Sequence, residues 1–78
     1  MNYIIKLRNI FRDIFDDESM AISEFTMRED IEDWDSVAHI KLVLAIEDDF
    51  GIRLSMEEMS AIKSVSEFIT AIHRHDGK

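Results

Sequence analysis

Apolar side chains recur at helical spacing in three separate parts of this 78-residue chain. The first part predicts a helix from about Tyr3 to Phe15, which Asn2 can cap. Its apolar stripe is Ile4, Leu7, Phe11 and Ile14. The second part runs from Ser36 to Phe50 without glycine or proline. A last helix is predicted after Ser64, with one apolar face made of Val65, Phe68, Ile69 and Ile72.

Local signals mark the ends of these helices. Asp35 is a strong N-cap residue ahead of the second helix, and Gly51 stands where a glycine commonly ends one. The segments Ser55–Glu58 and Ser64–Glu67 both have the spacing of a capping box. The first box predicts a short helix to about Ile62, and the second opens the last helix.

The twenty residues 16–35 are too many for a simple turn between two helices. A capping-box pattern at Thr26–Glu29 predicts a short turn of helix near residues 26–31. We expect this connection to be structured because four of its apolar residues need burial: Ile22, Phe25, Ile31 and Trp34. Its acids do not match a calcium-binding loop, since Ala38 stands where such a loop starting at Asp33 needs glycine, and no metal site is predicted.

The expected fold is all-α. It is a small bundle of three main helices plus one short helix, with a long structured loop between helices 1 and 2, in one domain over residues 1–78 that ends in a frayed Gly77–Lys78.

The second helix has two different faces. At 100° per residue, one arc collects the core residues His39, Leu42, Val43, Ile46 and Phe50. The opposite side collects Val37, Lys41, Leu44 and Asp48. Two apolar residues, Val37 and Leu44, would therefore face water on one stripe. Single exposed apolar residues are common, but two beside each other indicate a docking surface.

Composition limits the classes of function. The net charge is −8, and the acids concentrate in residues 13–35, so the surface disfavours nucleic acid and anionic membranes. No apolar run could span a bilayer and no signal-peptide pattern is present, so a cytoplasmic protein is expected. The chain has no cysteine, so any thiol chemistry would have to come from a prosthetic group.

Ser36 is the candidate reactive residue. With Asp35 as the cap, its hydroxyl lies in the first helical turn, where unpaired N–H groups and the helix dipole favour an anion such as a phosphate. An enzyme would combine Ser36 with His39 and Asp35. That arrangement lacks a nucleophile elbow, an evident oxyanion pocket and a third group to orient the imidazole. We therefore expect no catalysis by this chain, and we expect His39 to be a hydrogen-bonded core residue.

The run Asp35-Ser36-Val37, followed by Ile40, Leu42-Val43, Glu47-Asp48 and Phe50-Gly51-Ile52, resembles the acyl carrier proteins, a family that includes peptidyl carrier domains. The resemblance covers essentially the whole chain. It implies that a phosphopantetheinyl transferase attaches 4′-phosphopantetheine from coenzyme A to Ser36, supported by Asp35. The arm would then hold an acyl or aminoacyl group as a thioester for loading, condensing and modifying enzymes.

The resemblance also implies a partner-binding surface on a monomeric carrier. Its expected residues are Val37, Lys41, Leu44, Glu47, Asp48 and Leu54. Ala38 and Lys41 stand where fatty-acid-synthesis carriers often have acids, and Trp34 replaces a small residue. These departures favour a stand-alone carrier of a specialised pathway, of the polyketide or non-ribosomal-peptide type, over primary fatty-acid synthesis. The alternative from another class is an unmodified acidic helical adaptor that binds a basic partner protein.

Overall fold

Within residues 3–76, which the computed structural model describes, the chain forms four α-helices. They are α1 (Tyr3–Ile14), α2 (Ser36–Phe50), α3 (Met56–Ala61) and α4 (Val65–Asp76), with a short 3₁₀ turn at Arg28–Asp30 before α2. The predicted all-α fold of three main helices and one short helix is confirmed. The predicted Asn2 cap and the Gly77–Lys78 tail lie outside the described residues.

The core lies between α1, α2 and α4. Its residues are buried at helical intervals because each helix turns one apolar stripe inward. They are Leu7 and Phe11 of α1, Leu42, Val43 and Ile46 of α2, and Val65, Phe68, Ala71 and Ile72 of α4, joined by Trp34, Ile52 and Ile62 from the connections. Phe50 and Ile69, predicted for the core faces, are half-buried at its edge.

α1 ends at Ile14, within one residue of the predicted end near Phe15, because the chain turns out of the helix at Asp16. Asp16 adopts a left-handed backbone with φ of 51°. Its N–H donates to the Asp13 carbonyl at 3.3 Å, and the Asp17 N–H donates to the Arg12 carbonyl at 3.0 Å. This pair of bonds is the Schellman arrangement, which satisfies carbonyls that the end of a helix leaves unpaired.

The connection between α1 and α2 is structured, as predicted, and main-chain hydrogen bonds hold it to the rest of the molecule. The Thr26 carbonyl accepts the Val65 N–H at 2.9 Å, and the Arg28 N–H donates to the Lys63 carbonyl at 2.9 Å. These bonds join residues 39 and 35 positions apart in sequence, so no local pattern indicates them.

Two expectations for this connection are wrong. Phe25 is 80% exposed, because the turn from Ser23 to Thr26 directs it away from the core, whereas Ile22 and Ile31 pack against the core and Trp34 is buried. The cap of the short turn is at Met27 rather than Thr26. The Asp30 carboxylate accepts the Met27 N–H at 2.9 Å, one residue later along the chain than the predicted box.

The remaining caps follow the sequence closely. Ser55 and Glu58 form the predicted reciprocal box at the start of α3. At the start of α4, the Ser64 hydroxyl accepts the Glu67 N–H, while the Glu67 carboxylate accepts the N–H of Lys63 instead of that of Ser64.

Glu58 also joins α3 to α4. Its carboxylate contacts Arg74 at 3.2 Å and His75 at 2.8 Å. The hydrogen bond from the Ser55 N–H, followed by the contact with His75, lowers the pKa of Glu58 to about 2. Since α3 buries none of its own residues fully, this carboxylate is one of the few polar links that hold it.

Candidate functional site

The N-terminus of α2 is built as the sequence predicts. The Asp35 carboxylate accepts the Ala38 N–H at 2.9 Å, and the Asp35 carbonyl accepts the His39 N–H at 2.9 Å. Asp35 has an extended backbone, as an N-cap residue does, and Ser36 is the first helical residue. Gly51 closes the other end with a left-handed φ of 66°.

Ser36 is exposed, and its hydroxyl makes no hydrogen bond to any of residues 3–76. The N–H groups of Ser36 and Val37 are likewise without a partner in that part of the chain, since the cap satisfies only Ala38 and His39. The positive end of the fifteen-residue α2 therefore presents a free hydroxyl beside two free donors. This arrangement suits an anionic group esterified to the hydroxyl, and in particular a phosphodiester.

His39 is buried and makes two hydrogen bonds. Its Nδ1 accepts the indole N–H of Trp34 at 3.0 Å, and its Nε2 lies 2.7 Å from the Met59 carbonyl oxygen. An indole nitrogen can only donate and a carbonyl can only accept, so the imidazole is neutral and carries its proton on Nε2. Both ring nitrogens are thus engaged and neither is free to activate Ser36, in agreement with the expected core role of His39.

The exposed face of α2 carries the predicted residues in the predicted direction. Val37 is 61% exposed and Leu44 59%, and Lys41 lies between them on the surface. The prediction missed Ile40, which is 50% exposed and adds a third apolar side chain to this face. Ile40 lies three residues after Val37 and four before Leu44, so the spacing itself could have indicated it.

The acids at the end of α2 differ in their surroundings. Glu47 is half-buried and its carboxylate accepts the Leu54 N–H at 2.7 Å, whereas Asp48 is exposed. Leu54 is half-buried and packs against the core. Leu44, Glu47 and Asp48 line one open cleft of about 730 Å³, together with Gly51, Ile52, Arg53 and His75. The structure thus brings three of the six predicted partner residues to one cleft, with Leu54 nearby through its bond to Glu47.

Of the two histidines near the C-terminus, His75 lines this cleft and His73 does not. His73 packs edge-on against Tyr3, and His75 contacts Glu58. Within the described residues, no group of three or more histidine, cysteine, aspartate or glutamate side chains could hold a metal ion.

Comparison with protein families decides the class of this molecule. Residues 6–72 match the family model described as the phosphopantetheine attachment site, which is most of the chain. The chain belongs to this family. Phosphopantetheine-attachment proteins of the acyl carrier type are non-catalytic carriers with a covalently bound 4′-phosphopantetheine, so the resemblance stated from the sequence is confirmed.

Two relatives agree with the family assignment. The chain is 29% identical over 72 residues to an acyl carrier protein of Lactobacillus acidophilus, covering 92% of this chain and 90% of that protein. It is also similar to the solution NMR structure of holo acyl carrier protein from Geobacter metallireducens, with a TM-score of 0.88 and 28% identity. That comparison covers 99% of this chain and 88% of the other. None of the helices in residues 3–76 has the length and apolar character to cross a membrane.

Proposed function

We propose that Ser36 carries the 4′-phosphopantetheine arm and that residues 1–78 act as one monomeric, cytoplasmic acyl or aminoacyl carrier domain. The observation that supports this most directly is the exposed Ser36 hydroxyl beside two unpaired N–H groups, behind the Asp35 cap. The phosphate of the arm would lie at the positive end of α2, which stabilises an exposed anion by about 0.3–1 kcal/mol. The arm itself supplies the thiol that the chain lacks.

The test is the intact mass of the protein after incubation with coenzyme A and a promiscuous phosphopantetheinyl transferase. We expect one arm to be added to the wild-type protein and none to the Ser36→Ala variant. Ser66→Ala is the matched control, because Ser66 is also an exposed serine in the first turn of a helix, and this variant should be loaded normally. No addition to the wild type, under conditions that load a known carrier, would contradict the proposal and leave the unmodified adaptor.

The partner enzymes would dock on the exposed face of α2 and the adjoining loop. The residues proposed for this contact are Val37, Lys41, Leu44, Glu47, Asp48 and Leu54. The apolar side chains would fill a pocket on the enzyme, while Asp48 would meet basic residues at its rim. Glu47 already accepts the Leu54 N–H, so its contribution would include holding Leu54 in place.

The same residues favour a specialised pathway of the polyketide or non-ribosomal-peptide type. Lys41 places a positive charge in the middle of the proposed docking face, and Ala38 is apolar and buried. An enzyme with a wholly basic docking site would therefore meet local repulsion here. Lys41→Glu should therefore speed association with a fatty-acid-synthesis condensing enzyme at low salt. An unchanged rate would contradict the proposed role of Lys41 in partner choice.

A further inference from the structure

Trp34 and His39 form a buried polar pair on either side of residues 35–38, the segment that contains Ser36. Trp34 is 3% exposed and His39 6%, and their rings stack at a centroid distance of 6.0 Å. The indole N–H donates to Nδ1 of His39 at 3.0 Å. Only residues 35–38, with Ser36 among them, lie between the two members of the pair. The side-chain bond therefore closes a short ring of chain around Ser36.

Trp34 is also fixed through its main chain. Its N–H donates to the Ile31 carbonyl at 3.1 Å, and its carbonyl accepts from Nε of Arg28 at 3.1 Å. Its ring stacks on Phe68 at 6.1 Å and meets the edge of Phe11 at 5.2 Å. Trp34, two positions before Ser36, is thus held by its backbone, its indole nitrogen and the rings of Phe11, His39 and Phe68.

The pair extends to α3 through the other nitrogen of His39. Nε2–H of His39 donates to the Met59 carbonyl at 2.7 Å, which links the start of α2 to α3. The imidazole can make both bonds only in one tautomer and one ring orientation, because a flipped ring would lose both partners. An apolar pair of similar size could fill the same volume. The polar pair adds direction, since hydrogen bonds fix the relative orientation of the groups that they join.

We propose that the Trp34–His39 pair is a positioning device, in which two residues that never touch the arm hold the Ser36 hydroxyl in the orientation used by the phosphopantetheinyl transferase. This inference rests on the proposed attachment at Ser36. Trp34 anchors the chain before Ser36, and His39 anchors the first turn after it. The bond from His39 to the Met59 carbonyl also holds α3 against the start of α2, and α3 has no fully buried residue of its own.

The direct test separates the hydrogen bond from the packing. Trp34→Phe keeps an aromatic ring and removes the N–H, so Nδ1 of His39 is left buried without a donor. We expect kcat/KM for loading to fall about five- to tenfold, the scale of one buried hydrogen bond. The fall in kcat/KM should be seen in variants that circular dichroism shows to be folded. The amide of Ala38, which reports the Asp35 cap, should exchange with solvent faster by a similar factor.

A second variant distinguishes positioning from stability alone. Trp34→Phe combined with His39→Leu removes both members of the bond, so no indole or imidazole nitrogen is left buried without a partner, and only the Met59 carbonyl loses a donor. We expect the urea midpoint to recover towards that of the wild type while loading stays slow. Loading that recovers together with the midpoint would overturn the proposal. Ile72→Val is the control for general destabilisation, because Ile72 is fully buried in α4 and should lower the midpoint without slowing the loading of folded protein.

The wild-type protein supplies an independent measurement. Imidazole ¹⁵N shifts should show His39 as the neutral tautomer with its proton on Nε2 and an unprotonated, hydrogen-bonded Nδ1. The opposite tautomer would overturn the proposal without any substitution. If the wild type and the Trp34→Phe variant load equally fast, the proposed positioning role is contradicted, while attachment at Ser36 still stands. If the wild type is not loaded at Ser36, both the proposed attachment site and the proposed positioning role are contradicted.

Discussion

The surroundings of Ser36 distinguish it from Ser66. Ser66 is also exposed in a first helical turn, but its hydroxyl lies 3.1 Å from that of Ser64. The Ser36 hydroxyl has no such contact within residues 3–76, and the neighbouring N–H groups are free. An exposed hydroxyl without a hydrogen-bond partner, beside free N–H donors, fits the proposed attachment at Ser36.

From this we predict that Ser36→Ala leaves the fold and its stability almost unchanged. The side chain is exposed and unbonded, and such substitutions usually alter the free energy of unfolding by less than about 0.5 kcal/mol. A thermal melt followed by circular dichroism measures this directly. A variant that fails to fold would contradict the assignment, because it would give the hydroxyl a structural role.

Features of single residues could be predicted from the sequence where the interacting groups are close together along the chain. The Asp35 cap, the Gly51 end and the Ser55 box join groups within four residues, and each was placed correctly. The bond from Trp34 to His39 was missed. Aromatic residues and histidines are found in many cores, and no spacing rule states which of them will share a hydrogen bond. The Glu47–Leu54 bond was missed because it depends on how the chain folds back after Gly51.

Helical periodicity assigned most of the α2 faces correctly, because burial repeats at every turn of a helix. Leu42 is fully buried and Leu44, two residues later on the same helix, is 59% exposed. Loop residues have no such periodicity, and so the burial of Phe25 was predicted wrongly. The same gap applies to the main-chain bonds of Thr26 and Arg28, which only the tertiary fold brings about.

The two leucines allow a matched comparison within one element. Leu42→Ala should cost about 2–5 kcal/mol through lost burial and a cavity, whereas Leu44→Ala should cost less than about 1 kcal/mol. Leu44→Ala should instead weaken binding to the transferase, since an exposed leucine can fill a pocket on a partner. Urea midpoints and one binding constant for each variant decide the matter. Equal losses of stability would mean that the faces of α2 are assigned wrongly, and the docking surface would be withdrawn with them.

The stability that Glu58 contributes by linking α3 to α4 should depend on pH. The pKa of Glu58 is lowered from its usual 4.5 to about 2, so its carboxylate stabilises the folded state fully above pH 4.5. This stabilisation should decline as the pH falls from 4.5 towards 2, where the folded state also takes up the proton. The difference in urea midpoint between wild type and Glu58→Gln should therefore shrink over that range. Glu57→Gln is the control for removing a carboxylate from the same first turn, since Glu57 is exposed and has no hydrogen bond or ion pair in the described residues.

The acidic charge of the whole molecule is arranged unevenly around a body of 34 × 25 × 21 Å. The net charge of −8 attracts a basic partner from any direction, but salt screens charges beyond about 8 Å at physiological ionic strength. The final approach of a partner therefore depends on the charges near the docking face rather than on the total. Asp48 lies on that face, and Asp13 lies on α1 beside another cleft.

These two aspartates test whether docking is local. Asp48→Lys and Asp13→Lys change the net charge equally, and both side chains are exposed and without an ion pair in the described residues. If the transferase docks at the end of α2, Asp48→Lys should slow its association several-fold at low salt, while Asp13→Lys should slow it only slightly. The difference should disappear as the salt concentration approaches 1 M, where the screening length is about 3 Å. Stopped-flow association rates measured across a salt series give the answer. Equal slowing by both variants would mean that the total charge alone attracts the partner, and Asp48 would then have no special place in the docking surface.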